Sequence, residues 1–196
     1  MSENSMPEKK AAIFFADGCE EIEGLTVVDI LYRAGVPLQK ISVSGSLTVV
    51  SSHRLSFLCD SLIADEDLEQ YDLLILPGGI PGTLNLKACE PLRRAILSFD
   101  RQGKGLAAIC AAPSVFGDLG LLKGRKCCCN PPWTDKVAES GAEVLTEETV
   151  RDGNIITSRA MGTSIPFALE ILAWLRGEEA AEEMRRKIVY RCGGQG

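Results

Sequence analysis

The chain has 196 residues, a formal net charge of −6, 45% hydrophobic residues and 24% charged residues. That length suits one compact domain with enough interior to bury a core. The acidic balance argues against specific nucleic-acid binding, which needs a basic face. Residues 1–10 are polar and read as a disordered N-terminal extension with no apolar core of a signal peptide. The apolar stretch Ala11–Ala16 is too short to span a bilayer, so no membrane segment is expected there. Eight cysteines in a chain of this size, with several in apolar surroundings, read as free thiols in a reducing cytoplasm.

Short apolar runs alternate with amphipathic stretches, the signature of a layered α/β domain. Ala11–Ala16 reads as the first strand. Glu20 to Ala34 places Ile22, Leu25, Val28, Leu31 and Tyr32 close to helical spacing, and Gly35 stops it. Leu38–Val43 is a second strand, and Leu47–Val50 with Leu55–Cys59 reads as a short antiparallel excursion. Leu73-Leu-Ile-Leu76 is a fully apolar strand ending in Pro77-Gly78-Gly79. Pro91 to Arg101 is a helix closed by Gly103, and Gly105–Ile109 is a strand that delivers Cys110. Asp152-Gly153 is a hairpin signal between Val150 and Ile155. Thr163 to Leu175 and Ala180 to Val189 read as closing helices, and residues 191–196 as a flexible tail. The sum is a mostly parallel sheet covered on both faces, formed by residues 11–190.

Cys110 is the residue that gives this plan a chemistry. An apolar run ends abruptly in a thiol and continues as Ala111-Ala112-Pro113, which reads as a buried strand, a tight turn and an immediate helix. Open α/β folds place their sites at this carboxyl edge of the sheet. The unpaired N–H groups of the following helix favour thiolate over thiol. Three marked strand ends can converge there: Asp17-Gly-Cys-Glu-Glu-Ile-Glu23, Pro77-Gly-Gly79 and Cys110-Ala-Ala-Pro113. The amides of Gly78, Gly79 and Ala111 are candidate donors to a developing oxyanion. Glu20 and Glu21 read as dipole complements in a first helical turn. Glu23 can reach the sheet edge, where burial beside sulfur would raise its pKa and make it an acid/base.

Several motifs occur in order along the chain. They are Ala16-Asp-Gly-Cys-Glu-Glu-Ile-Glu23, Val28-Asp29-Ile-Leu-Tyr-Arg33-Ala-Gly35, Tyr71-Asp-Leu-Leu-Ile-Leu-Pro-Gly-Gly79, Ala107-Ala-Ile-Cys110-Ala-Ala-Pro113, Thr157-Ser-Arg159 and Gly162-Thr-Ser164. Together they resemble the ThiJ/PfpI superfamily, in the branch of the human parkinsonism-associated deglycase/glyoxalase III and its bacterial relatives. The resemblance implies a flavodoxin-like three-layer α/β/α sandwich of the class I glutamine amidotransferase-like kind. It also implies a low-pKa nucleophile at Cys110 that oxidises readily, hydrogen-bonded by Glu23, with an oxyanion site of Gly79 and Ala111 amides. A homodimer without metal or organic cofactor is implied, with Arg33 and Arg54 shaping an anion-accepting mouth.

The chain departs from the family pattern at named positions. Ala111 stands where protease-like members carry histidine directly after the cysteine. Asn130 stands where the human protein has histidine, and Ala160-Met161 replaces a Gly-Pro, so both residues bear on pocket shape. The only histidine, His53, lies in Ser51-Ser-His-Arg54 and reads as a surface or interface residue, so no Cys-His-acid peptidase triad is expected. Cys127-Cys128-Cys129 cannot offer three ligands from one strand, because alternate side chains face opposite ways, and reads as core filling. Cys19 is a candidate resolving thiol for an oxidised Cys110. The function implied by the resemblance is cofactor-free chemistry on small 2-oxoaldehydes such as methylglyoxal, or on their adducts. The alternative is an oxidative-stress sensor or chaperone signalled by Cys110 oxidation.

Overall fold

The computed structural model describes residues 8–191; the expected N-terminal extension and C-terminal tail otherwise lie outside the described residues. Residues 8–10 are tied down: Glu8 pairs with Arg176, Lys9 Nζ donates to the Trp174 carbonyl at 3.2 Å, and the Lys10 N–H donates to Asp72 at 2.8 Å.

In chain order, β1 (Ala11–Phe15) runs into α1 (Glu21–Arg33), and β2 (Leu38–Ser42) returns beside it. A hairpin of β3 (Thr48–Val50) and β4 (Ser56–Leu58) follows, then the edge strand β5 (Ser61–Leu62). β6 (Leu73–Leu76) leads to α2 (Gly82–Ala88) and α3 (Glu90–Gln102), and β7 (Gly105–Ile109) leads to α4 (Pro113–Asp118). β8 (Lys126–Cys127), α5 (Thr134–Ala138) and β9 (Glu143–Val144) form a small excursion. The chain closes with β10 (Thr149–Asp152), β11 (Ile155–Ser158), α6 (Ser164–Arg176) and α7 (Glu178–Lys187).

The main sheet has the order β10-β11-β7-β6-β1-β2-β5. Its pairings are parallel except at one edge, where β10 and β11 form the hairpin turning at Asp152-Gly153. Period-2 alternation along the buried strands builds two cores. Ile13, Phe15, Ile75, Ala107 and Ile109 meet Val27, Leu31 and Phe167 from α1 and α6. Ala12, Phe14, Leu74, Leu76 and Ala108 meet Leu92, Ile96, Phe99 and Phe116 from α3 and α4. Strands buried on both faces carry no polar residue, which is why β1, β6 and β7 read as unbroken apolar runs. Each fully buried Phe, Leu or Ile contributes roughly 1.5–3 kcal/mol of transfer free energy. The result is the expected three-layer α/β/α sandwich.

The cysteine triplet differs in detail. β8 ends at Cys127, so Cys128 and Cys129 lie beyond the strand, yet all three are buried. Cys127 and Cys129 enter the α3–α4 core, while Cys128 turns the other way, with Sγ 3.2 Å from the Thr157 carbonyl.

Candidate active site

Because β11, β7, β6 and β1 are neighbours and run parallel, their carboxyl ends open at one edge. Cys110 leaves β7 with φ at 67°, a left-handed conformation that costs a non-glycine residue about 1–3 kcal/mol. Three backbone bonds hold it there. The Cys110 N–H donates to the Ser158 carbonyl at 3.0 Å, the Asn130 N–H donates to the Cys110 carbonyl at 2.9 Å, and Ala112 N–H bonds Ile109 O at 3.0 Å. The strand-to-helix elbow thus presents the thiol at the sheet edge instead of folding it into the core.

Glu23 arrives from the first turn of α1 and is 1% exposed. Glu20 is the N-cap: its Oε2 accepts from the Glu23 N–H at 2.7 Å, and its own N–H donates to the Gly78 carbonyl at 3.0 Å. The Gly78 N–H then donates to Glu23 Oε2 at 3.0 Å. Glycine at 78 is obligatory, because a Cβ there would sit 2.5 Å from both Cys110 Cβ and Glu23 Oε2. The first strand's loop, the Pro-Gly-Gly loop and the cysteine elbow therefore close on one another as expected.

Burial pushes Glu23 up to about 7, the nearby Glu20 charge adds to this, and hydrogen bonds with Cys110 and the Gly78 and Met161 N–H groups oppose it. Burial is also the largest cause lifting Cys110 to about 12, followed by the charge and hydrogen bond of Glu23, while the Gly79 and Ala111 N–H groups act to lower it. This corrects the expectation of a thiol depressed on its own by the following helix: burial and the facing carboxylate outweigh the backbone donors. Both groups are raised, so near neutral pH the pair keeps at least one proton. When that proton is on Glu23, the carboxylate charge that opposed the thiolate is gone and a donor faces sulfur instead.

The other expected residues fall in different places. Asn130 is close through its backbone, which anchors the Cys110 carbonyl. Met161 has a half-exposed side chain, but its N–H reaches Glu23. Arg54 lies on the exposed turn of the β3–β4 hairpin, with φ at 66°. Arg33 ends α1, with Nε 2.7 Å from Asp29 Oδ2, almost three helical turns from Glu23. Within one chain it does not line the thiol. Cys19 is fully buried and pushed up to about 12, by burial first and Cys59 next, which leaves a protonated thiol poorly suited to resolving a sulfenate. His53 is on the surface as expected, and its Nδ1 is 2.9 Å from Glu21 Oε1.

Sequence reasoning missed Glu20 as a cap, the Ser158 carbonyl as an anchor and the Met161 N–H as a donor. The spacing Glu20-x-x-Glu23 was the one available signal, resembling a capping box with an unusual cap residue.

Residues 9–174 match the model of the DJ-1/PfpI family. The chain belongs to that family. Among DJ-1/PfpI relatives, Protein DJ-1 homolog B of Arabidopsis thaliana is 36% identical over 188 residues, covering 95% of this chain and 43% of that protein. The chain thus spans less than half the length of that relative. The glutathione-independent glyoxalase DJR-1.2 of Caenorhabditis elegans is 29% identical, covering 93% of this chain and 98% of its own. The solved structure of oxidized Toxoplasma gondii DJ-1 superposes with a TM-score of 0.88 at 30% identity, covering 93% of this chain and 99% of that one. The α/β architecture with its mainly parallel sheet agrees with the fold of solved DJ-1 structures. No helix among the described residues is long and apolar enough to cross a membrane.

Proposed function

We propose that this DJ-1/PfpI protein is a cofactor-free, cysteine-dependent enzyme acting on small 2-oxoaldehydes, converting methylglyoxal to lactate without glutathione or acting on aldehyde adducts. The observation that carries the reading is the half-buried Cys110 set beside the buried Glu23 carboxyl, which the Gly78 N–H holds, with the Gly79 and Ala111 amides facing the sulfur. The similarity to a glyoxalase-named nematode protein supports the substrate class.

The thiolate attacks the aldehyde carbon, and the carbonyl π electrons move to oxygen beside the two amides. Glu23 gives its proton to that alkoxide, making a hemithioacetal. The resulting carboxylate removes the hydrogen of the former aldehyde carbon as a proton and returns it to the adjacent carbon, while the hydroxyl proton passes from the first carbon's oxygen to the second's, which leaves the lactoyl thioester. Water then releases lactate and restores the pair. The net change is methylglyoxal plus water to lactic acid, with no redox partner.

A homodimer is part of the reading. Ile22, Tyr32, Val50 and Leu55 stand open on α1 and the hairpin, and Arg54 shares that surface, where it could reach a partner's thiol. Sedimentation of the purified chain tests this.

A second reading is an oxidative-stress sensor. The Gly79 and Ala111 N–H groups and a protonated Glu23 would hold a Cys110 sulfinate as well as an oxyanion. The deciding experiment is lactate formation from methylglyoxal by wild type and Cys110→Ser. Turnover abolished by the substitution supports the enzyme. No lactate from wild type, with Cys110 still selectively oxidised by peroxide, supports the sensor.

A further inference from the structure

We propose that Glu20, Glu21 and His53 form a binding site for one divalent transition-metal ion of the zinc class, with no ligand from Cys110. The three side chains come from two elements that the sheet does not join: the start of α1 and the turn between β3 and β4. One ligand atom from each lies within 4.8 Å of the other two. His53 Nδ1 is 2.9 Å from Glu21 Oε1 and 4.0 Å from Glu20 Oε1. Tetrahedral zinc, with bonds of about 2.0–2.2 Å, separates its ligand atoms by roughly 3.3 Å, so small side-chain rotations reach that geometry.

The donor set is one imidazole and two carboxylates, a mixture that suits zinc, cobalt or nickel better than calcium. Glu20 can ligate without giving up its cap, because Oε2 takes the Glu23 N–H and Oε1 faces His53. The Glu21 side chain is only 8% exposed, and Ser51 and His53 both hydrogen-bond it. Such orienting bonds to a ligating carboxylate are the usual support of a metal site. His53 is 65% exposed, which leaves open positions for water or a further ligand. Binding displaces the proton between Nδ1 and the Glu21 carboxylate to solvent, and the metal takes its place. The ion would fasten the hairpin turn to the helix that carries Glu23.

The free thiols are the competing ligands, so the test uses Cys110→Ser protein and two probes, Zn2+ and Co2+, in equilibrium dialysis. The expected result is about one ion retained per chain and a Co2+ spectrum without thiolate-to-metal charge transfer. Adding His53→Asn should weaken binding by more than about tenfold, as should Glu21→Gln. Zn2+ should raise the melting temperature of the Cys110→Ser protein and lose that effect with His53→Asn. His53 is exposed, so its replacement does not threaten the fold. Unchanged affinity in His53→Asn, a thiolate band with Co2+, or no retained metal would each overturn the site.

Discussion

Glu21 and Glu23 occupy the same helical turn, both shielded from water at 6% and 1% exposure, yet their protons are held oppositely. Glu23 is raised to about 7 because burial in the sheet edge outweighs its hydrogen bonds. For Glu21 burial also acts upward, but its own backbone N–H, His53 and Ser51 together bring the net shift below the usual carboxylate range. Glu21 meets Ser51 and His53 of the hairpin, whereas Glu23 meets Gly78 after β6 and Cys110 after β7. Depth of enclosure and the sign of the partner decide ionisation; loss of surface area alone does not. One carboxylate becomes a proton carrier and its neighbour a permanent anion.

The largest expected effect comes from removing the sulfur. Cys110→Ser should lower lactate formation by at least about a thousandfold while leaving the melting temperature near wild type, since the elbow is held by backbone bonds. Gly78→Ala should fail in both respects. Its Cβ, 2.5 Å from Cys110 and Glu23, must push the pair apart, with an overpacking cost of about 1–3 kcal/mol in denaturant titration and loss of turnover. A well-folded, active Gly78→Ala protein would contradict the geometry of the site.

Glu23→Gln keeps a side chain of the same shape but removes the transferable proton. Turnover should fall by about 10²–10⁴. Stability should move the other way above neutral pH. The folded pKa of Glu23 is raised, so its stabilising contribution is present below the ordinary carboxylate value and lost as pH rises through about 7. Glutamine escapes that loss, worth on the order of 3 kcal/mol, so the variant should outlast wild type in melts at pH 8 and not at pH 5. Equal melting differences at both values would mean that Glu23 is not raised.

Much of this plan was legible because both faces of β1, β6 and β7 are buried, which forces apolar runs, and because the β6 and β7 runs stop at residues that build the site, Gly78 after Pro77 and Cys110. The pairing of the hairpin and the turn at Asp152-Gly153 were legible for the same local reasons. α4 was legible only at its start, where Pro113 marks the helix after Cys110; α2 and α5, 7 and 5 residues long, were not, since so short a helix shows no full period and is held by its neighbours. The site was legible only where a side chain does the work. Met161 and Ser158 act through main-chain atoms, which every residue carries, so their types say nothing. The opposite fates of Glu21 and Glu23 depend on His53 and Gly78, distant in sequence, and spacing along the helix could not assign them.

The smallest effect isolates the cap from the charge. Glu20 raises the Glu23 pKa through its charge and fixes the helix start through its oxygen. In chelator-treated protein, kcat/KM for methylglyoxal should rise through about pH 7 as the pair releases its first proton, then stay level well into the alkaline range. Glu20→Gln retains an oxygen for the Glu23 N–H and removes the negative charge, so its midpoint should move acidic with little change in melting temperature. Glu20→Ala should make the same acidic shift and also lose about 1 kcal/mol of stability with the cap. An unmoved midpoint in both variants would mean that burial alone sets the Glu23 proton, and that the two carboxylates of this turn differ by depth without help from their neighbours.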